Sequence, residues 1–295
     1  MSLENPFLLS CKAIIRKRFP LLLSHAGRAY AKSVGFQSEK AFLKDRLQTN
    51  KELKSLVLLS CNRAATQFTE DVLSRIYESA GGKHVALNRY LFFAQTKEGR
   101  DMRSESQMGE LLRPKGYFFG QQGPFVDPSF LKDYLIVAMV RDPRDLLVSH
   151  FYSMTNAHVP RDQTFVKRAK KARKQGLQAY VQEEEIISYF EDCLKQALLL
   201  KGVDGVLTYR YEDMMSNYTQ FHEKCQQLVC GKVSESLSTE LEQLYKQPVT
   251  KNKEHQGRHR RSGAWGQYKG ELDADVIAKL NERFGPLLVQ FGYDV

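Results

Sequence analysis

Short uncharged apolar runs alternate with stretches of helical spacing along most of the chain. Ser55 to Ser60 and Leu135 to Val140 are brief and rich in aliphatic residues, and they read as buried strands. Val206 to Tyr211 reads the same way, with Tyr117 to Phe119 and His84 to Leu87 as shorter candidates. After the first run, Phe68, Val72, Leu73 and Ile76 recur at the spacing of one helical face. A second helix opens at Glu183-Glu184-Glu185 and runs to Leu200-Lys201, closed by Gly202. Acids at its start and a lysine at its end suit the helix dipole. Asp273 stands at the cap of a closing helix whose Val276, Ile277, Leu280 and Phe284 form one core stripe. Residues 155 to 182 are polar and basic without strong period and read as a long functional or mobile connection. Strands alternating with helices predict a three-layer α/β fold with a mostly parallel central sheet and ligands at the strand carboxyl ends.

The chemistry concentrates at two strand ends. The run Leu135–Val140 feeds into Arg141-Asp142-Pro143-Arg144-Asp145, and Pro143 suits a first helical turn, where its missing N–H costs nothing. Ser149 then lies about two turns into that helix, so Arg141 and Ser149 can converge on an anion. The first strand runs into Cys61-Asn62-Arg63-Ala64-Ala65-Thr66-Gln67, a small-residue loop opening a helix. That geometry aims backbone N–H groups and a helix dipole at a negative ligand. The glycine-lysine pattern of a nucleoside triphosphatase loop is absent.

Charge supports an anionic ligand. The net charge is +10, and it is clustered: Lys12 to Lys32, Lys167 to Lys174, and Lys251 to Arg261. The 295 residues suffice for one large α/β domain or two small ones, and the mean hydropathy of −0.46 is that of an ordinary soluble globule. No apolar run reaches the roughly 18 residues of a membrane span. Five cysteines without metal-ligand spacing favour free thiols and a reducing compartment. Residues 1–50 read as a basic helical extension packed on the core, ahead of a domain over 51–295. Their acid-poor start also has some likeness to an organelle transit peptide.

Four stretches in order resemble the sulfotransferase family that uses 3′-phosphoadenosine 5′-phosphosulfate. Asn62 to Phe68 resembles its P-K-S-G-T-T-W loop, and Arg141 to Ser149 is similar to its R-D-P-R-D-x-x-x-S motif. Tyr211-Glu212-Asp213-Met214 resembles its Y-E-D-[ML], and Arg258 to Trp265 its R-K-G-x-x-G-x-W segment. The resemblance implies a P-loop-like sulfotransferase fold. It implies a 5′-phosphosulfate held by Arg63, Ala64, Ala65, Thr66 and Gln67, with Phe68 able to stack on adenine and Tyr211 near it. The 3′-phosphate falls to Arg141 and Ser149, under a segment carrying Arg258, Arg260, Arg261, Ser262 and Gly263. No metal is required. Arg63 stands where the family usually has lysine, which keeps the cation but removes a proton donor.

The expected reaction is sulfuryl transfer to a hydroxyl or amine of a small-molecule acceptor in the cytoplasm, with no nucleic acid and no membrane span. Glycan or peptide acceptors, a nucleotide kinase, and a non-enzymatic polyanion binder stay open as alternatives. Where many family members place the base histidine, Gln121-Gln122-Gly123 stands instead. The candidates for that base are His158, then Asp127, then His150, which points about 100° away from Ser149 on the helix. Oligomeric state is not legible in the sequence.

Overall fold

In the first strand, β1 (Leu56–Ser60), every residue is buried, as its unbroken apolar run requires of a strand covered on both faces. The computed structural model describes residues 22–94, 111–122, 130–157, 163–229, 233–246 and 264–295. With β2 (Lys83–Val85), β3 (Tyr117–Gln122), β4 (Leu135–Val140) and β5 (Val206–Arg210), β1 forms a five-stranded sheet in the order β2-β3-β1-β4-β5. Each neighbouring pair is parallel. The central pair is in plain register from Leu56 opposite Leu135 to Ser60 opposite Met139.

Helices α1 (Leu22–Lys32), α2 (Gln37–Leu43), α3 (Thr66–Ser79) and α4 (Leu87–Ala94) lie in the first third. The second third holds α5 (Pro143–Tyr152), α6 (Gln163–Tyr180) and α7 (Glu184–Leu200). The rest are α8 (Tyr211–Ser216), α9 (Tyr218–Val229), α10 (Glu235–Lys246), α11 (Tyr268–Glu271) and α12 (Ala274–Phe291). After β1 the chain turns to one flank of the sheet through α3, and after β4 it turns to the other flank through α5 to α7. The carboxyl ends of β1 and β4 therefore flank the point where the winding reverses, which opens a crevice there. Among the described residues no helix is long and apolar enough to cross a membrane.

Three expectations change. The run His84 to Leu87 splits: the strand stops at Val85, and Leu87 starts α4, whose buried Leu87, Leu91 and Ala94 follow helical spacing. Residues 155 to 182 are mostly helix rather than connection. Phe165, Ala169 and Ala172 are the buried stripe of α6, and alanine gives a stripe too little apolar contrast to stand out among six cations. Gly176, at φ 79°, interrupts its helical geometry. Asp273 holds the cap position of α12, but its side chain makes no capping bond; its N–H donates instead to Gln178 Oε1 at 3.2 Å.

Phe42 on α2 is 1% exposed and meets Tyr117 and Phe119 edge-on at 4.9 and 5.5 Å between ring centroids. It joins α2 to the sheet core. Phe42→Ala is expected to cost about 3–5 kcal/mol in one cooperative urea transition. A separate early transition, or no loss, would show that α2 is not part of that unit.

Candidate functional site

The loop after β1 is built on strained backbone. Arg63 has φ 82° and Ala65 has φ 56°, conformations that cost a non-glycine residue about 1 kcal/mol or more and turn successive N–H groups into one concavity. Side chains hold it there. Asn62 Nδ2 donates to the Tyr189 hydroxyl on α7 at 2.8 Å, and Asn62 Oδ1 accepts from Gln121 Nε2 on β3 at 3.2 Å. Gln121 Nε2 also donates to the Ser60 carbonyl at 3.3 Å. Gln121 is thus a clamp on the loop, which gives a role to the place where the family would have its histidine. Thr66 is buried, its hydroxyl 2.9 Å from that of Ser60, tying the start of α3 to the end of β1. Ala64 is buried, Ala65 is half-buried and Gln67 is exposed.

From the neighbouring strand end comes Arg141, 6% exposed. Its Nη1 donates to the Arg63 carbonyl at 3.1 Å, and its Nη2 to Asp145 Oδ2 at 3.3 Å and to the Ala264 carbonyl at 3.4 Å. Its guanidinium lies 4.4 Å from the ring centroid of Tyr211. The structure thus places Tyr211 against Arg141. Burial, and then the charge of Arg141, lower the pKa of Arg63 from its ordinary value. Two guanidinium groups are thereby brought close enough to repel each other. Arg141 Nε is buried with no hydrogen-bond partner among the described residues. A pair of like charges, one buried and one half-buried, with an unsatisfied buried donor fits an anionic ligand.

The rest of the Arg141 motif builds the support. Asp142 caps α5 through the Arg144 N–H at 2.9 Å and holds the Arg144 guanidinium through Nε at 3.0 Å and Nη2 at 2.7 Å. Arg144, 2% exposed, also donates to Asn281 Oδ1 and to the Asp294 carbonyl, each at 2.7 Å. Glu212 accepts the Asp142 N–H at 3.0 Å and the Tyr293 hydroxyl at 2.9 Å, and burial raises its pKa. Asp213 grips Arg210 through two bonds of 2.7 and 2.5 Å. Ser149 is half-buried, two turns along α5 as its position implied.

Phe68 lies 6.0 Å from Tyr218 and 6.4 Å from Tyr245 between ring centroids, and those two tyrosines stack at 4.5 Å. Tyr189, Tyr218 and Tyr245 escaped the sequence reading because each stands more than a hundred residues from the loop it serves, with no local pattern to mark it. His150 has a defined place. Its Nδ1 is 2.9 Å from the Tyr180 hydroxyl, its ring packs edge-on against Phe190, and burial followed by the Arg63 charge lowers its pKa to about 4. His158, Asp127, Arg258, Arg260, Arg261, Ser262 and Gly263 lie outside the described residues.

A family model of the sulfotransferase domain matches residues 125–292, more than half the chain. The chain belongs to the sulfotransferase family. No curated protein matches it. Solved structures similar to this sulfotransferase include a mouse sulfotransferase, SULT7A1, complexed with PAP. That chain is 17% identical with a TM-score of 0.54, over 85% of this chain and 90% of that one. Retinol dehydratase in complex with androsterone and inactive cofactor PAP is 18% identical, TM-score 0.53, over 87% of each chain. A second structure of retinol dehydratase, with retinol and PAP, is 17% identical, TM-score 0.52, over 87% of each chain. With 85–87% of this chain covered, the shared fold takes in residues ahead of those that the family model matches.

The depressed His150 sets a pH dependence. The unfolded chain binds its proton near pH 6.5 and the folded protein near pH 4, so neutral His150 stabilises above pH 6.5. Between pH 6.5 and 4 that contribution, about 3 kcal/mol, is lost. Urea unfolding of the wild type is expected to weaken across this window, with His150→Gln removing the corresponding part of the slope. Identical slopes would mean that His150 titrates normally in the folded protein.

Proposed function

We propose that this sulfotransferase transfers a sulfuryl group from 3′-phosphoadenosine 5′-phosphosulfate to a hydroxyl or amine of a small-molecule acceptor in the cytoplasm. The observation that carries the reading is the meeting of Arg63 and Arg141 at the carboxyl ends of β1 and β4. Two cations with a buried unpaired donor between flanking strand ends suit a ligand with phosphate at both ends. Support comes from the PAP bound in all three structures of similar fold, and from androsterone and retinol as the small molecules bound in two of them.

In this reading the N–H groups of the Arg63–Thr66 turn and the Arg63 guanidinium hold the phosphosulfate end. They stabilise charge that grows on the leaving phosphate during in-line transfer. Arg141 and Ser149 hold the 3′-phosphate. Phe68, with Tyr218 and Tyr245 behind it, gives an aromatic wall for the base. Arg63 keeps its proton throughout, so it acts as a fixed charge rather than an acid. His158 is carried forward as the group that takes the acceptor's proton, with Asp127 second. A half-buried neutral His150 already bound to Tyr180 serves better as packing beside Arg63.

One observation favours a polyanionic acceptor instead. Lys167, Lys170, Lys171 and Lys174 form an exposed stripe on α6, of which Lys171 is paired with Glu183 at 2.6 Å. Mass spectrometry of donor-dependent products from small alcohols, amines and acidic oligosaccharides separates the two readings.

Arg141→Ala is expected to weaken adenosine 3′,5′-bisphosphate binding tenfold or more in calorimetry, from charge-assisted bonds of about 1.5–3 kcal/mol each, and Ser149→Ala to weaken it less. Unchanged affinity in the Arg141 variant overturns the donor assignment. Arg63→Ala is expected to lower kcat far more than donor affinity, whereas Arg63→Lys retains turnover. Normal kcat in Arg63→Ala would reduce the loop to a structural element.

A further inference from the structure

We infer that Asp145 is a positioning residue that builds the 3′-phosphate half of the donor site, acting through Arg141 and through the segment Ala264 to Tyr268. The inference rests on the donor reading above. The Asp145 side chain has no solvent exposure, so protein groups alone serve its charge. Its Oδ2 accepts from Arg141 Nη2 at 3.3 Å and from the Gly266 N–H at 2.7 Å, and its Oδ1 accepts from the Tyr268 N–H at 3.0 Å. The circuit closes at Ala264, whose carbonyl accepts from the same Arg141 Nη2 at 3.4 Å. One carboxylate thus fixes a guanidinium and a stretch of backbone 121 residues further along the chain.

Apolar packing does little of this work. Trp265, at the centre of the segment, is 48% exposed, and Gly266 holds φ +72° with open space where a Cβ would stand. Tyr268 is buried and its ring lies 4.2 Å from the Arg144 guanidinium, so the segment has a firm end beyond the Asp145 contact. Both carboxylate oxygens face N–H donors. An amide in place of the carboxylate sets an NH2 against one of them, freeing either the backbone segment or Arg141. The loop carrying Arg63 touches Arg141 through a carbonyl, and the side-chain bonds of Asp145 among the described residues go to Arg141, Gly266 and Tyr268. Loss of Asp145 therefore acts on one end of the donor only.

The test compares two ligands that differ by one group, adenosine 3′,5′-bisphosphate and adenosine 5′-monophosphate, each titrated into full-length protein by calorimetry and by emission of Trp265, the single tryptophan. Wild type is expected to prefer the bisphosphate; equal affinity there would overturn the donor reading itself. Asp145→Asn is expected to shrink that preference tenfold or more, with monophosphate affinity held within twofold. Gly266→Ala, which strains only the segment's backbone, is expected to shrink it about threefold and carries the same test if the Asn variant does not fold. A preference equal to wild type, or equal weakening of both ligands, overturns the inference, since a merely structural carboxylate would not distinguish them.

Discussion

Two guanidinium groups held side by side at the ends of adjacent parallel strands are the constraint to which the surrounding structure answers. Burying one such cation without a partner costs several kcal/mol, and burying two in proximity costs more. The protein offsets this with carboxylates supplied from the same motif. Asp145 takes Arg141, and Asp142 takes Arg144. Arg63 keeps a depressed pKa beside Arg141. The two guanidinium groups brought together in the crevice suit an anionic ligand.

The supports reach further than the motif. Glu212, in the first turn of α8, accepts the backbone N–H of Asp142, and Tyr293 donates its hydroxyl to Glu212. The Asp294 carbonyl and Asn281 complete the shell of Arg144. The last helix, through Asn281, and the chain just beyond it, through Asp294, thus help to hold Arg144 at the start of α5, 137 and 150 residues earlier. On the other side, Asn62 is stretched between β3 and α7 through Gln121 and Tyr189. These clamps hold Arg63 and Ala65 in backbone conformations that a free loop would leave.

Arginine rather than lysine in the donor loop has a mechanistic consequence. A guanidinium stabilises charge at a fixed geometry but does not give up a proton near neutral pH, so in the proposed transfer the leaving phosphate is stabilised without protonation. In the proposed reaction, Gln121 in the region where many members of the family have a base histidine leaves the proton-accepting role to another group. Both departures lie within one clamp, since Gln121 holds the residue immediately before Arg63.

Much was determined by sequence alone. The strands β1 and β4 are doubly covered, so their runs are uniformly apolar and need no neighbour to be recognised. Arg141, Pro143 and Ser149 are close in sequence and fixed by a strand end and two helical turns, so their relation is a matter of local geometry. The helix α6 was not legible, because its buried face is largely alanine and its pattern is drowned by charge. Nor was the partner of any polar clamp: which tyrosine receives Asn62, which backbone closes on Asp145, and what lies under Arg141 depend on contacts of 59 to 127 residues' separation. Local periodicity carries no record of such pairings. Only the order of the strands, which places the ends of β1 and β4 side by side, decided that Arg63 and Arg141 would meet.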